Sequence, residues 1–384
     1  MKRLQVLFLA ALSSSLFLFG CGKDTEELNT QPAASPTQAT ASGETDKDGP
    51  AGSPDTTETP PADNMVRSRI TNEWVDASVD QTRPIAVMIP NTKTASHYGL
   101  SKASVLYECS VENDITRLMA IFDDWSDMDK LGNIRSSRDY FIYWAFEWDA
   151  IHIHYGGPFY IDDLVARTDT QNIDCISYQN ASYKDSAKNT VDNAFTDTDR
   201  IKKAADHYGY PLKYREDYSD EQHYLFAPDN APNTLTQYPG SVTASEIDMS
   251  PAYPVTNPYF IYNEKTGLYD RYQHLMGDSY GPHVDLENGE QLAFKNILVQ
   301  NTYYEVRDQK DYLSYQCHDN TRDGWFFTNG RGIHVTWEKG SDYGATKYYD
   351  DDGNEIRLNT GRTMVCILKE GDTFLADGTV MNDE

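Results

Sequence analysis

The sequence has few basic residues for its length. Its 33 Lys and Arg residues face 60 Asp and Glu residues, so the formal net charge is −27 at pH 7. A surface this acidic repels the phosphates of nucleic acids and the anionic headgroups of lipids. We therefore expect no nucleic acid among the partners and no membrane attachment through a basic patch.

Cysteine is scarce as well, with five in 384 residues and no Cys-x-x-Cys pair. A zinc cluster is therefore not expected. Cys21 follows the apolar N-terminal run and is a candidate for acylation. The four other cysteines are Cys109, Cys175, Cys317 and Cys366. If the chain is exported, this even number permits up to two disulfides. The apolar, strand-like surroundings of Cys109 and Cys366 favour buried free thiols instead. The sequence leaves both possibilities open.

Motifs of established catalytic chemistry are also missing. The chain contains no G-x-S-x-G, no Walker loop and no H-E-x-x-H. His152 and His154 share one face of a predicted strand, but no third metal ligand can be located, so we expect hydrogen-bonded structural histidines. The sequence predicts no metal site and no cofactor, and it names no reaction.

Long apolar runs are absent except at the N-terminus. Met1-Lys2-Arg3 precede an apolar or small stretch from Leu4 to Gly20, which is the order of a secretory signal peptide. Leu18-Phe19-Gly20-Cys21 resembles a bacterial lipobox. We predict a lipoprotein signal peptide over residues 1–20, lipidation of Cys21, for example with palmitate, and anchoring to the outer face of the bacterial cytoplasmic membrane. An uncleaved anchor helix is the alternative, and it also places the rest of the chain outside the cytoplasm.

The next segment, residues 21–65, begins with the lipidated cysteine and continues as an acidic linker. It is rich in Ser, Thr, Pro and acidic residues and has few large apolar side chains. Such a composition cannot bury enough surface to offset the entropy of ordering, so a disordered tether is predicted. As a flexible coil it would average roughly 35–40 Å end to end.

Two folded domains are predicted beyond the tether. In residues 66–240, short apolar runs of strand type alternate with segments of helical length, which predicts an α/β domain with a mixed sheet. The predicted strands are 85–89, 104–111, 115–122 and 151–155, and the predicted helices are 139–148 and 196–207. In residues 241–384, many short strand-like runs are separated by turn clusters such as Thr328-Asn329-Gly330, which predicts a β-rich domain.

Polar residues interrupt the apolar runs of the first domain. Glu108 and Glu112 lie in and after its second strand, and Arg117 lies in its third. Arg135 and Arg138 flank two serines directly before a predicted helix. Two guanidiniums, two hydroxyls and the amides of a helix start could bind a carboxylate or a phosphate. The alternative is that these arginines form structural ion pairs with the two glutamates.

The motifs of the chain, in order, resemble those of YerB-type bacterial lipoproteins, which carry a pair of DUF3048 domains. The resemblance rests on residues 83–89, 99–103, 107–108, 115–122, 134–141 and 149–157 in the first domain, and on residues 269–271, 282–285, 296–300, 336–339 and 352–363 in the second. It implies an extracytoplasmic lipoprotein, largely of Gram-positive bacteria, with no assigned reaction. Of the candidate site residues, these ranges contain Glu108, Thr116, Arg117, Arg135, Ser136, Arg138 and His154. Glu112 also falls within the family's motifs, because Glu112-Asn113-Asp114 stands where the family has Glu-Gly-Gly before Ile-Thr-Arg.

The favoured hypothesis is a non-enzymatic, lipid-anchored envelope protein. A polar site in its first domain would bind an envelope polymer or an envelope protein, and the binding residues would be Thr116, Arg117, Arg135, Ser136 and Arg138. A weaker option is a solute-binding lipoprotein that serves a transporter, and the β-rich second domain argues against it.

The alternative hypothesis is a hydrolase or transferase that acts on peptidoglycan or a related glycan. Glu108 or Glu112 would be the acid/base, and His154 would orient a group or relay a proton. This chemistry requires Glu108, Glu112 and His154 to meet in one open cleft together with Arg135.

Overall fold

The computed structural model describes residues 59–187, 192–216, 218, 222–274 and 279–382. These residues belong to one unit that spans Glu58–Glu384. The predicted signal peptide, Cys21 and almost all of the predicted tether lie outside the described residues. Within the described part of the chain, no helix is both long enough and apolar enough to cross a bilayer.

Strands dominate the secondary structure. The four α-helices are α1 (Ala77–Asp80), α2 (Asp139–Phe146), α3 (Asp162–Val165) and α4 (Thr198–Tyr208). The strands up to residue 226 are β1 (Met65–Arg67), β2 (Trp74–Asp76), β3 (Ile85–Asn91), β4 (Val105–Ser110), β5 (Thr116–Phe122), β6 (Leu131–Gly132), β7 (Ile151–His154), β8 (Asn172–Asp174), β9 (Tyr183–Lys184), β10 (Ala194–Thr196) and β11 (Leu225–Phe226).

The later strands are short and closely spaced, as the turn clusters predict. They are β12 (Val242–Thr243), β13 (Glu246–Asp248), β14 (Tyr259–Asn263), β15 (Leu268–His274), β16 (Tyr280–Pro282), β17 (Ala293–Phe294), β18 (Asn296–Thr302), β19 (Tyr304–Val306), β20 (Leu313–Tyr315), β21 (Asp319–Thr328), β22 (Arg331–Lys339), β23 (Lys347–Tyr349), β24 (Arg357–Leu358), β25 (Thr363–Lys369), β26 (Phe374–Ala376) and β27 (Thr379–Met381).

An eleven-stranded mixed sheet forms the centre of the fold. Its strand order is β12-β22-β21-β18-β25-β4-β5-β3-β7-β8, and β23 pairs with β22. Strands β18, β25, β4, β3, β7 and β8 run in the same direction, whereas β5 is antiparallel to both of its neighbours. The mixed sheet of the first domain and the β-rich second part are both confirmed.

The central strands are apolar on both faces because both faces are covered. Every residue of β3, β4 and β5 is buried, as expected for strands inside a two-sided sheet. One face packs against α4 and against a seven-stranded sheet that contains β13 to β17, β26 and β27. The other face packs against α2, whose residues are buried on most sides.

The central sheet runs through both predicted domains. Strand β25, near the end of the chain, is inserted between β18 and β4 and is parallel to both. The two large hydrophobic clusters each contain residues from both segments. The boundary between residues 240 and 241 therefore stays a prediction from sequence, and the described residues share their sheet and their cores across it.

All four cysteines beyond Cys21 are free and buried. Cys109 and Cys366 lie on the adjacent strands β4 and β25 but belong to the hydrophobic clusters of opposite faces. Burial raises the pKa of all four thiols, which makes them poor nucleophiles.

Candidate functional site

The candidate residues surround one edge of the central sheet. Strands β3, β4, β7 and β8 all end there, and the antiparallel β5 begins there. After β3 the chain builds β4 and β5 on one side and then crosses to β7 and β8 on the other. Strand β3 thus marks a reversal of strand order. In open α/β sheets, ligands usually bind beyond the carboxyl ends of the strands, at the point where the strand order reverses.

Period two sends consecutive residues of β5 to opposite faces of the sheet. Thr116 and Leu118 face the side of the seven-stranded sheet, whereas Arg117 lies on the side of α2. The predicted site residues are therefore divided into two groups on opposite faces of the central sheet.

The first group is an arginine site made by Arg117, Arg135 and Arg138. Backbone hydrogen bonds hold the 135–138 segment in place, because the Arg135 amide donates to the Met88 carbonyl at 2.9 Å and the Ser137 amide donates to the Gly156 carbonyl at 2.9 Å. Arg117 reaches this segment and donates from Nη1 to the Ser136 carbonyl at 2.5 Å. Helix α2 starts directly after Arg138, and no side chain caps its first turn.

Two of the three guanidiniums at the arginine site have carboxylate partners. Arg138 donates from Nε to Glu112 at 3.1 Å and also bonds its second carboxylate oxygen. Arg135 lies 3.1 Å from Asp192. Among the described residues, no carboxylate lies within ion-pair distance of Arg117. Its side chain is buried, and its Nε has no hydrogen-bond partner within the described part of the chain.

Arg117 therefore has no direct ionic partner among the described residues. Burial, and then the neighbouring charge of Arg138, lower the pKa of Arg117 to about 9, although Glu112 acts in the opposite direction. The site holds three guanidiniums against two carboxylates, in a chain that is strongly acidic as a whole. An anion next to Arg117 would restore the balance and supply the missing acceptor.

The second group is a closed network around Glu108. One carboxylate oxygen of Glu108 lies 2.7 Å from a terminal nitrogen of Arg271 on β15. The other accepts hydrogen bonds from Asn91 and Thr116, each at 2.7 Å. The side chains of Glu108 and Arg271 are 0% exposed, so this network joins the central sheet to the seven-stranded sheet and is shut off from solvent.

Two histidines extend the network beyond Arg271. His283 bonds Arg271 through Nδ1 and approaches Nδ1 of His97 to 2.6 Å through Nε2, and the Nε2 of His97 bonds the Pro90 carbonyl at 2.8 Å. Sequence reasoning missed Asn91, Arg271, His97 and His283 as members. Glu108 and Arg271 are 163 positions apart, and no local pattern signals such a pairing.

His154 and Ser136 are fixed by local contacts. His154 is buried, with Nδ1 at 2.9 Å from the Gly156 carbonyl and Nε2 at 3.1 Å from the Asn172 side-chain oxygen. Ser136 donates to the Tyr155 carbonyl at 3.1 Å. A pair that the sequence did not reveal is Ser137 and His152, whose Oγ and Nε2 lie 2.8 Å apart. Both residues of this pair are buried.

The structure thus brings Glu112, Arg117, Arg135 and Arg138 together and separates them from Glu108 and Thr116. The expected structural ion pair exists between Arg138 and Glu112. Arg135 pairs with Asp192, and Glu108 pairs with Arg271. The open cleft that the hydrolase hypothesis requires is not formed by Glu108, because both of its carboxylate oxygens are bonded and its side chain is fully covered.

Comparisons with known proteins agree on one family. Residues 70–211 match the N-terminal domain, and residues 248–365 the C-terminal domain, of a family described as "Protein of unknown function (DUF3048)". A Bacillus subtilis (strain 168) protein named "Putative lipoprotein YerB" is 24% identical over 283 residues, which are 73% of this chain and 80% of that protein.

A crystal structure of the YerB protein from Bacillus subtilis has the same fold. It superposes with a TM-score of 0.66 at 23% identity and covers 79% of this chain and 96% of that chain. At this level of identity the likeness concerns the fold alone. With both domains present and in order, the chain belongs to the DUF3048 family.

Proposed function

We propose that this protein is a lipid-anchored, extracytoplasmic binding protein that holds an anionic group of a cell-envelope ligand at the arginine site. Arg117, Arg135 and Arg138 contact the anion, and the amides at the start of α2 add hydrogen-bond donors. Thr116 supports the site indirectly, since it fixes Glu108 and Asn91 at the same sheet edge.

A single observation carries the proposal: the buried guanidinium of Arg117 has no carboxylate of the described residues within ion-pair distance. Buried charges are normally paired, because an unpaired one costs several kcal/mol. Arg117 has no carboxylate partner within the described residues, and it lies where open α/β sheets usually bind ligands. A guanidinium binds planar carboxylates and phosphates in a bidentate manner, so these are the groups we assign to the ligand.

The envelope location rests on the N-terminal residues and on the relative. Residues 1–21 have the order of a lipoprotein signal with Cys21 at its end, and the Bacillus subtilis relative carries the name of a lipoprotein. A lipid on Cys21 would tether the folded unit at the membrane surface, within reach of envelope polymers. The hydrolase alternative gains no support from the closed Glu108 network.

Retention on purified peptidoglycan sacculi tests the proposal. The experiment uses residues 22–384, because the removal of residues 1–21 leaves the folded unit Glu58–Glu384 intact. Half of the sacculi are treated with hydrofluoric acid, which removes phosphodiester-linked polymers. We expect the wild-type chain to be retained and the Arg117→Gln variant to be released at lower salt. Loss of wild-type retention after the acid treatment would assign the anion to a phosphate, and unchanged retention would assign it to a carboxylate.

Arg322→Gln is the matched control. Arg322 is partly exposed and pairs with Asp319 and Glu370, and all three residues lie in the second part of the chain, residues 241–384. It should behave as the wild type does. Equal release of both variants would mean that net charge alone governs retention, and the arginine site would be refuted. Soluble fragments detected by mass spectrometry would instead show an enzyme.

A further inference from the structure

A pocket of about 470 Å³ lies next to the arginine site, beyond the carboxyl ends of β7 and β8. Its volume falls within the range of small-molecule sites, roughly 300–1,000 Å³. One backbone hydrogen bond joins the two sites. The amide of Ser137, which lies between Arg135 and Arg138, donates at 2.9 Å to the carbonyl of Gly156, and Gly156 lines the pocket.

The floor of the pocket is polar and held rigidly. Asn172 and His154 are bonded to each other at 3.1 Å. Asp174 accepts hydrogen bonds from the amides of Gly156 at 2.8 Å and Ile176 at 2.9 Å. These contacts fix the oxygen acceptors before any ligand arrives, which lowers the entropy cost of binding. Asp162 adds an exposed carboxylate at the rim.

The rim of the pocket is apolar and exposed. The described residues contain eight large apolar side chains that are strongly exposed. Ile176 and Tyr208, which line the pocket, are two of them at 51% and 37%, and Phe159, between the lining residues Gly157 and Ile161, is a third at 69%. Tyr208 is braced by Tyr210, whose ring lies 5.4 Å away at 18°.

Among the residues that the structure describes, the lining contains two carboxylates, Asp162 and Asp174, and no Lys or Arg. An anion is therefore repelled here. Oxygen acceptors beside an exposed aromatic ring suit a molecule with hydroxyl donors on its edge and an apolar C–H face, which is the chemistry of a sugar ring. We propose that this pocket binds a saccharide unit, and that the full ligand is a saccharide that carries a phosphate or carboxylate on the neighbouring arginine site. The second clause rests on the proposed function, and the first does not.

Titration calorimetry with four probes tests the inference on residues 22–384: N-acetylglucosamine, N-acetylglucosamine 1-phosphate, N-acetylmuramic acid and inorganic phosphate. We expect Tyr208→Ala to weaken binding of the three sugars by roughly 3- to 10-fold, as for one aromatic contact, and to leave phosphate binding unchanged. Arg117→Gln should weaken the binding of phosphate and of the two anionic sugars, and it should leave the binding of N-acetylglucosamine unchanged.

Asp162→Asn is the second pocket variant, and it is a change at an exposed residue that should keep the fold. It should weaken the binding of the sugars only. Tyr303→Ala is the control, because Tyr303 is equally exposed at 38% but lies on the other segment. Phosphate binding without sugar binding, or sugar binding that Tyr208→Ala leaves intact, would overturn the saccharide pocket and leave the proposed function standing. Sugar binding without phosphate binding would refute the arginine site alone. The two anionic sugars distinguish a phosphate from a carboxylate source.

Discussion

Arg117 carries a buried charge at the arginine site. Burial and the neighbouring charge of Arg138 lower its pKa to about 9, below the unfolded value. The side chain is still charged at neutral pH, so its charge is less stable in the folded state than in the unfolded state. We expect Arg117→Gln to raise the free energy of unfolding by about 1–2 kcal/mol, since Gln can still donate to the Ser136 carbonyl. Urea titration measures this change.

The same titration with added phosphate separates binding from structure. Phosphate should stabilise the wild type more than the Arg117→Gln variant, because the variant binds the anion more weakly. A destabilised variant would show that Arg117 is a structural residue and that its neighbours already satisfy its charge.

Glu108 and Arg271 form a pair that depends on both partners. Each side chain is 0% exposed, so the removal of one leaves the other charged and buried. We expect Glu108→Leu and Arg271→Met each to cost about 3–5 kcal/mol. The double variant should lose less than the sum of the two, and a double-mutant cycle measures the difference. Strictly additive losses would mean that the two charges do not stabilise each other.

The two histidines of the Glu108 network make stability depend on pH. Burial lowers the pKa of His97 to about 4. The hydrogen bond to the Pro90 carbonyl raises this pKa, whereas the charge of Arg271 lowers it further. Burial, Arg271 and His97 also lower the pKa of His283. Because the unfolded histidines titrate near 6.5, the unfolded state takes up more protons between pH 6.5 and 4, and stability falls as the pH falls through this window.

Thermal unfolding between pH 7 and pH 4 measures this loss. His97→Gln keeps a hydrogen-bond donor and an acceptor at this position but has no titratable ring. The midpoint temperature of its thermal unfolding should therefore change less between pH 7 and pH 4 than that of the wild type. His334→Gln is the control, since His334 is partly exposed between Asp323 and Asp351. An equal pH response of wild type and His97→Gln would locate the loss in other groups.

Among the elements, α4 depends most clearly on local sequence. Asp197 caps its start, accepting a hydrogen bond from the Arg200 amide at 2.9 Å, and Gly209 ends it in the left-handed conformation with φ 71°. We expect Asp197→Ala to cost about 1 kcal/mol, measured by urea unfolding. Asp199→Ala, an exposed change in the same turn, should cost less. Equal losses would assign the effect to the helix dipole rather than to the cap.

Elements with a local signal could be predicted from the sequence. The apolar runs at 85–89, 104–111, 115–122 and 151–155 correspond to β3, β4, β5 and β7, since these strands are buried on both faces. The helix expected over 139–148 is α2, and the helix expected over 196–207 is α4. Arg117, Arg135, Arg138 and Glu112 also stood out locally, as charges inside apolar surroundings.

Long-range pairing could not be predicted. Nothing in Thr363–Lys369 indicates that this strand pairs with β4, some 250 residues earlier in the chain. For the same reason the partner of Glu108 was not found, because Arg271 becomes its neighbour only when the seven-stranded sheet packs on the central one. The face that each polar residue takes was decided by strand register, which a one-residue shift would reverse.

For the whole molecule, the insertion of β25 between β18 and β4 joins the two segments of the chain in one sheet. Strand β4 has β25 as its neighbour on one side, and Glu108 of β4 has Arg271 of the later segment as its charge partner. A fragment of residues 59–240 would lack both, with an open central strand edge and an unpaired buried carboxylate. We therefore expect the chain to unfold as one cooperative unit.

Calorimetry of residues 22–384 should show a single transition whose calorimetric and van't Hoff enthalpies agree. Residues 59–240 alone should show no cooperative transition, and co-expression with residues 241–384 should restore it, because the second fragment supplies β25 and Arg271. A stable, cooperatively unfolding 59–240 fragment would contradict this expectation. It would show that the boundary after residue 240 separates two domains that fold independently, and that the shared sheet forms only when they dock.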